Sequence, residues 1–110
     1  LHMIHVAGTN GKGSVCAFLE ALLTQHGKKT ASFTSPHVVK INERIKLCAK
    51  EISDERFVSA AVKVRHAIET GITEGKNSPS FFEAVFLMAM VIFQEEQPDI
   101  CMIETGMGGR

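Results

Sequence analysis

The chain has 110 residues, of which 45% are hydrophobic and 22% are charged, a composition typical of an ordinary globular protein. Its 12 basic and 12 acidic side chains give a formal net charge of zero, which argues against a nucleic acid or a membrane as partner. Cys16, Cys48 and Cys101 form no C-x-x-C pair, which argues against a disulfide framework or structural zinc and favours a reducing, cytoplasmic location.

Apolar periodicity in the first third of the chain predicts a strand, a helix and a second strand. Residues 3–7 form a short apolar run that leads into glycines, as a buried strand does before a tight turn. A helix is expected over residues 13–26, with Gly27 as its stop, and a second strand over residues 30–34. The buried stripe of this helix is predicted to consist of Val15, Phe18, Leu19, Leu22 and Leu23.

The middle of the chain predicts a second helix. The pattern over residues 38–50 is ambiguous, although residues 45–48 suit a short strand. Ser53 is expected to cap a helix because two acidic residues follow it, and residues 71–79 have the composition of a polar loop. One face of the helix is predicted to carry Phe57, Ala61, Val64 and Ile68.

A third helix and a last strand complete the pattern. Ser80-Phe81-Phe82-Glu83 fits a capping box, and residues 84–93 are apolar on nearly every side, so this helix is expected to be deeply buried. This run is about half as long as a membrane-spanning helix requires. The continuous apolar run over residues 100–103 predicts a strand buried in a parallel sheet. The alternation of strands and helices predicts the α/β class, with a mainly parallel sheet flanked by helices.

The run Gly8-Thr9-Asn10-Gly11-Lys12-Gly13-Ser14 has the composition of a phosphate-binding loop. It stands between a predicted strand and a predicted helix, where backbone N–H groups and the helix N-terminus attract anions. Lys12 supplies a cation for phosphate oxygens, and the Ser14 hydroxyl is a ligand for Mg²⁺. The spacing departs from the common pattern G-x-x-x-x-G-K-[ST], because Gly13 separates Lys12 from Ser14.

Glu104 is the predicted acidic partner of this loop. It follows the apolar run at residues 100–103 and precedes three glycines. Ligands of open α/β sheets bind at the carboxyl ends of strands, where an acidic residue helps to hold the metal. We therefore predict that Ser14 and Glu104 lie close enough to share one Mg²⁺.

These motifs together resemble the signature of the folylpolyglutamate synthase and dihydrofolate synthase family, which belongs to the Mur ligase group. The resemblance rests first on residues 5–15, in which Gly13 stands before Ser14. Further matches follow in order at Thr34-Ser35-Pro36-His37, at Glu43-Arg44-Ile45 and at Glu104 with the glycine-rich residues 106–110. The resemblance covers essentially the whole chain and implies a truncated copy of the ATP-binding domain of the family.

The resemblance implies an enzyme that uses ATP and Mg²⁺ to join L-glutamate to a folate or dihydropteroate through an acyl phosphate. Lys12 would contact the β- and γ-phosphates, and Ser14 and Glu104 would ligate Mg²⁺. The residues that would bind ATP are Asn10, Gly11, Lys12, Gly13, Ser14 and Val15. The pterin would meet Pro79, Ser80, Phe81 and Phe82. Phe82 is the stacking candidate, and a plain core role for it stays open.

Some positions receive no chemical step. Ser35 and His37 would border the active site, and Arg44 is expected to pair inside the protein with a carboxylate. In the matching family, the glutamate site lies on a C-terminal domain absent from residues 1–110. The parent is expected to be monomeric and to bind only small-molecule substrates. Two alternatives remain: a nucleotide-binding module without ligase activity, and another Mur-type ligase, which Gly13 and residues 34–37 disfavour.

Overall fold

The computed structural model describes residues 2–7, 12–34 and 41–105. Two compact units divide the chain: a sheet unit, Leu1–Ile52 with Gln97–Arg110, and a helical unit, Ser53–Glu96. In chain order the elements are β1 (His2–Ala7), α1 (Lys12–Gln25), β2 (Thr30–Thr34), a 3-10 turn (Ile41–Arg44), β3 (Ile45–Leu47), β4 (Lys50–Glu51), α2 (Asp54–Thr73), α3 (Phe81–Glu96) and β5 (Ile100–Thr105).

The sheet unit contains a mixed five-stranded sheet in the order β1-β5-β2-β3-β4. β5 lies between β1 and β2 and is parallel to both, whereas β2, β3 and β4 follow one another in antiparallel pairs. β5 and β2 are buried, with Ala31, Phe33, Cys101 and Met102 fully enclosed. The prediction of a buried strand at residues 3–7 was wrong for Met3 and Ile4, which are 51% and 37% exposed, because β1 is paired on one side only in the described sheet. The predicted α/β class is confirmed, and the antiparallel strands β3 and β4 extend the parallel part on one side.

The β3–β4 hairpin turns through Cys48 and Ala49, which have φ angles of 51° and 67°. Leu47 pairs with Lys50, so these two residues form the whole loop. Positive φ at both positions defines the turn type that favours Asn-Gly, because most residues with a Cβ are strained there, whereas glycine has none and asparagine tolerates the conformation. Cys-Ala carries no turn signal, which explains why the sequence predicted neither the turn nor β4.

In the helical unit, α2 and α3 pack on one another. An ion pair joins Arg56, near the start of α2, to Glu96 at the end of α3, so the two helices run in opposite directions. The Ser53 hydroxyl accepts a hydrogen bond from the backbone N–H of Arg56 at 3.1 Å, which confirms the predicted N-cap. α2 continues through Thr73, so the prediction of a loop from residue 71 onwards was wrong for its first three residues. Glycine is disfavoured in a helix interior but does not end the helix at Gly71.

The predicted apolar faces of this unit are confirmed in part. In α2, Val64 is buried, and Phe57, Ala61 and Ile68 are half-buried. α3 buries Val85, Met88, Ala89, Ile92 and Phe93. The expectation of burial all round α3 was wrong, since Leu87 is 42% exposed. None of the helices in the described residues is long and apolar enough to cross a membrane.

Candidate nucleotide-phosphate and metal site

The carboxyl ends of three parallel strands meet beside Glu104. Glu104 pairs with Val6 on β1 and with Thr34 on β2. The strand that precedes the glycine-rich loop and the strand that carries Glu104 are therefore neighbours. β5 extends to Thr105, so the expectation that the strand ends before Glu104 was wrong by two residues. Glu104 is consequently held by strand pairing on both sides, and its side chain is only 6% exposed.

The first turn of α1 consists of predicted phosphate-binding residues. The helix begins at Lys12, so Lys12, Gly13, Ser14 and Val15 form its N-terminal turn. The N–H groups of a first helical turn have no partner within the helix and bind anions, which suits a phosphate. The side chains of these four residues, together with Asn10 and Gly11, lie outside the described part of the chain. Their contacts with ATP and metal therefore stay predictions.

The buried face of α1 differs from the predicted stripe. Phe18 and Leu22 are 69% and 54% exposed, whereas Cys16 and Glu20 are 3% and 4% exposed. Leu19 and Leu23 are half-buried, and the Val15 side chain lies outside the described residues. Apolar periodicity alone pointed to the wrong side for Phe18 and Leu22, because it gives no weight to polar residues that pair inside the protein.

Glu20 is the buried residue that sequence reasoning missed. Its carboxylate accepts a hydrogen bond from the Ser32 hydroxyl at 2.8 Å, and Ser32 is 1% exposed in the middle of β2. A buried carboxylate is tolerated only where hydrogen bonds replace its water shell. The available signal was weak: Glu20 stands four residues after Cys16, and so on the same side of a helix.

Side-chain hydrogen bonds to backbone carbonyls connect the 3-10 turn (Ile41–Arg44) to β2 and to Ile52. The Thr34 hydroxyl donates to the Glu43 carbonyl at 3.4 Å, and the Asn42 side-chain amide donates to the Ile52 carbonyl at 3.1 Å. Arg44, the expected internal ion-pair partner, is 8% exposed, which agrees with an internal position. Ser35 and His37 lie outside the described residues.

The predicted pterin segment opens α3 in the helical unit. The backbone N–H of Ser80 donates to the Glu83 carboxylate at 2.8 Å, and the Glu83 N–H donates to the Ser80 hydroxyl at 3.2 Å, which confirms the capping box. Phe81 is 63% exposed, while Phe82 and Pro79 are half-buried. The half-burial of Phe82 suits both expected roles, a core residue and a pterin contact, so the pterin contact stays a prediction.

Electrostatics elsewhere in the described residues do not indicate a second chemical centre. The ion pair with Lys63 holds the pKa of Glu95 below its usual range, and Arg56 adds to the effect. Burial raises the pKa of the Cys101 thiol, which keeps that thiol unreactive. A groove of about 450 Å³ between α2 and α3 is lined mainly by apolar side chains, and two of its three polar lining residues, Lys63 and Glu95, pair with each other.

The chemistry of Glu104 fits a magnesium ion. The described residues contain no group of three or more His, Cys, Asp or Glu side chains able to hold a metal by themselves. Mg²⁺ does not need such a cage, since it is commonly bound by one or two protein oxygens together with phosphate oxygens and water. A buried carboxylate beside the strand that leads to a phosphate loop is a donor of the required type.

Comparisons with known proteins agree with this arrangement. No protein-family model matches the chain. The mitochondrial folylpolyglutamate synthase of Cricetulus griseus is 41% identical over 110 residues, a match that covers 99% of this chain and 19% of that protein. The crystal structure of folylpolyglutamate synthase from Thermotoga maritima is 38% identical with a TM-score of 0.89, covering 97% of this chain and 25% of the other.

A third relative was solved with ligands. The bifunctional folylpolyglutamate synthase/dihydrofolate synthase from Yersinia pestis, complexed with AMPPNP and a Mn ion, is 33% identical with a TM-score of 0.83. That match covers 97% of this chain and 25% of the Yersinia pestis protein. The chain thus spans about a fifth to a quarter of the length of the proteins it matches.

Proposed function

We propose that the chain binds the phosphates of Mg·ATP in an ATP-dependent glutamate ligase. It corresponds along its whole length to one segment of the folylpolyglutamate synthases, which confirms the family predicted from its sequence. The observation that carries the proposal is the pairing of β1 with β5. This pairing brings the end of the strand before the phosphate loop to the buried carboxylate of Glu104. The described relative from Yersinia pestis, which holds a nucleotide analogue and a divalent metal, supports the assignment.

The proposed reaction forms an amide in two steps. The γ-phosphoryl group passes from ATP to a carboxylate of a folate or dihydropteroate, giving an acyl phosphate and ADP. The amine of L-glutamate then attacks the acyl carbon, phosphate leaves, and the amine loses a proton. Lys12 and the N–H groups of the first turn of α1 stabilise charge that develops on the transferred phosphoryl group. Mg²⁺, when bound, neutralises phosphate charge and orients the oxygens.

The protein groups that hold this arrangement come from two elements. Ser14, in the first turn of α1, and Glu104, on β5, are proposed as the metal ligands, directly or through water. Asn10, Gly11, Gly13 and Val15 frame the nucleotide in the same proposal. Phe81 and Phe82, with Pro79 and Ser80, are proposed to meet the pterin, and the exposure of Phe81 supplies a ring face for such a contact.

An assay on the full-length protein that contains this segment tests the proposal. The protein is incubated with ATP, Mg²⁺, labelled L-glutamate and either dihydropteroate or tetrahydrofolate, and the conjugate and ADP are quantified. We expect ADP and conjugate in equal amounts with at least one acceptor. The acceptor that is used also decides whether the first glutamate, later glutamates or both are added. ATP binding without conjugate from either acceptor would contradict the ligase assignment.

The metal assignment has its own test in Glu104→Gln. We expect this variant to need at least about tenfold more Mg²⁺ for half-maximal rate, because losing even an outer-shell group commonly costs tenfold to a hundredfold in metal affinity. Glu51→Gln is the matched control, since Glu51 is an exposed carboxylate on β4 of the same sheet unit. An unchanged magnesium dependence in Glu104→Gln would remove Glu104 from the metal site.

A nucleotide-binding module without ligase activity is the second candidate for residues 1–110 taken alone. The observation that favours it is coverage, because the chain spans 19% of the length of its Cricetulus griseus relative. We expect the 110-residue chain to bind Mg·ATP weakly and to form no glutamyl conjugate in the assay above.

The expected cytoplasmic location of the protein also stays a proposal, since the Cricetulus griseus relative is described as mitochondrial. A monomeric parent likewise stays a proposal.

A further inference from the structure

A buried hydrogen bond joins the phosphate-loop helix to the sheet. Glu20, in the middle of α1, and Ser32, in the middle of β2, are 4% and 1% exposed, and their side-chain oxygens lie 2.8 Å apart. A polar pair of this kind contributes little net stability, because apolar residues of similar size often pack equally well. Breaking it is costly, since one partner is then left buried without its hydrogen bond. Such a pair therefore selects one packing arrangement of the helix more than it stabilises the folded state.

Helix α1 has apolar residues on two opposite sides, so a further interaction is needed to select the side that packs on the sheet. Cys16, Leu19 and Leu23 lie on the buried or half-buried side together with Glu20, whereas Phe18 and Leu22 lie on the exposed side. Each side of the helix thus carries at least two large apolar side chains. Apolar burial alone would therefore permit either side to face the sheet. The hydrogen bond between Glu20 and Ser32 forms only when the side of α1 that carries Glu20 faces the sheet.

We propose that Glu20 and Ser32 are a positioning pair: their hydrogen bond selects the side of α1 that packs on the sheet and thereby orients the first turn of the helix relative to Glu104. Lys12 lies eight residues before Glu20, about 12 Å along the same rigid helix. Ser32 pairs with Met102 on β5, two residues before Glu104. The hydrogen bond thus fixes the helix that carries the phosphate-binding turn against the strand beside the proposed metal ligand.

Cysteine modification can report which side of α1 faces the sheet, and it requires no nucleotide. Cys16 is 3% exposed on the same side as Glu20, Cys101 is fully buried in β5, and Cys48 is exposed. In the full-length protein, we expect iodoacetamide to modify Cys48 and to spare Cys16 and Cys101, as quantified by peptide mass spectrometry. In Ser32→Ala and in Glu20→Ala, we expect Cys16 to be modified about tenfold faster or more, with Cys101 still protected.

The consequence for the nucleotide rests on the proposed function. We expect Ser32→Ala and Glu20→Ala to raise the KM for ATP by about tenfold to a hundredfold, because a displacement of about 1 Å at a phosphate-binding group has effects of that size. Glu20→Gln should behave as the unmutated protein, since its side-chain carbonyl accepts the same hydrogen bond. Gln25→Ala is the control, because Gln25 is exposed near the end of the same helix.

Each outcome decides the proposal. Faster modification of Cys16 with Cys101 protected, a raised KM for ATP and rescue by glutamine support it. Protection of Cys16 with an unchanged KM overturns it, as does a raised modification rate with unchanged KM. Modification of Cys101 together with Cys16 in both alanine variants signals global unfolding, which makes the pair purely structural and also overturns it. Absence of Mg·ATP binding by the unmutated protein would contradict the proposed function, while the labelling still reports on the helix.

Discussion

The sheet unit and the helical unit bury different kinds of side chain. All the polar or charged side chains buried within the described residues belong to the sheet unit: Glu20, Thr30, Ser32, Asn42, Arg44 and Glu104. The buried side chains described in the helical unit are apolar: Ala60, Val64, Val85, Met88, Ala89, Ile92 and Phe93. The charged side chains of the helical unit, such as Arg56, Lys63 and Glu95, stay partly exposed and pair at its surface.

This difference separates stability from chemistry. Burying a polar group is costly unless a partner replaces its water, and the sheet unit accommodates such groups on α1, on the 3-10 turn and on its strands. The sheet unit therefore holds two carboxylates, Glu20 and Glu104, in buried positions, and Glu104 is the one proposed as a metal ligand. The buried core of the helical unit is apolar and stabilises folding, whereas the proposed pterin contact uses Phe81 and Phe82, which lie outside that core. Substitutions in the two units should consequently fail in different ways.

The largest expected effect is the loss of Phe93 from the helical unit. Phe93 is fully buried, so Phe93→Ala should lower the free energy of unfolding of the chain by about 3–5 kcal/mol through lost burial and a residual cavity. Urea unfolding measures this change. The affinity of the molecules that remain folded for Mg·ATP should not change. Leu87→Ala on the same helix is the control, and its smaller loss should reflect the 42% exposure of Leu87. Equal losses in both variants would contradict the assigned core.

Lys12→Ala in the full-length protein should lower turnover and leave the free energy of unfolding nearly unchanged, the reverse of Phe93→Ala. We expect turnover to fall by about a hundredfold or more, because transition-state charge stabilisation by one donor is commonly of that size. Urea unfolding should show little change in stability. Lys28→Ala is the matched control, since Lys28 is an exposed lysine of the same unit. A turnover near that of the unmutated protein would remove Lys12 from the mechanism and weaken the division between the two units.

The sequence predicted those elements whose local signals agree with their tertiary environment. The runs that became β1, β2 and β5 are short and bounded by turn residues, so all three strands were predicted. Burial followed as expected in β2 and β5, but not at Met3 and Ile4, because β1 stands at the edge of the described sheet. The caps at Ser53 and Ser80 depend on contacts three residues away, which a sequence displays directly. Glu104 was also correctly expected near the carboxyl end of its strand, although β5 continues to Thr105.

The features that sequence could not predict depend on distant contacts or on backbone strain. Glu20 is buried because Ser32, twelve residues away on a strand, supplies its hydrogen bond, and no local pattern marks that partner. The β3–β4 turn uses Cys48 and Ala49 in a conformation that glycine and asparagine favour. In the helical unit, Leu87 is exposed although its neighbours in sequence are apolar, because only one side of α3 contributes to the core.

Strain in that turn gives a smaller prediction for the sheet unit. Ala49 has a φ of 67°, so Ala49→Gly should raise the free energy of unfolding by about 1 kcal/mol, because glycine adopts this conformation without a steric penalty. Urea unfolding detects a change of this size. Ala21→Gly on the exposed side of α1 is the control and should lower the free energy of unfolding by about 0.5–1 kcal/mol. A destabilising Ala49→Gly would show that the turn is not strained.

The smallest expected effect concerns the surface charges of the helical unit and their dependence on pH. Glu95 pairs with Lys63 and with Arg56, and the pair with Lys63 lowers the pKa of Glu95 from its usual value of 4.5. A carboxylate whose pKa is lowered in the folded state contributes stability above the pKa that it has in the unfolded chain. That contribution is lost as the pH falls below 4.5 and through the folded-state pKa.

We therefore expect Glu95→Gln to reduce the loss of unfolding free energy between pH 7 and pH 3 by about 0.2–1 kcal/mol, the range of exposed ion pairs. The effect should shrink further at 1 M salt, where charges are screened over about 3 Å. Glu74→Gln is the matched control, because Glu74 forms an exposed pair with Lys76 at the end of α2. An equal pH dependence in Glu95→Gln and the unmutated chain would show that this surface network contributes nothing, and that the stability of the helical unit comes from its apolar core alone.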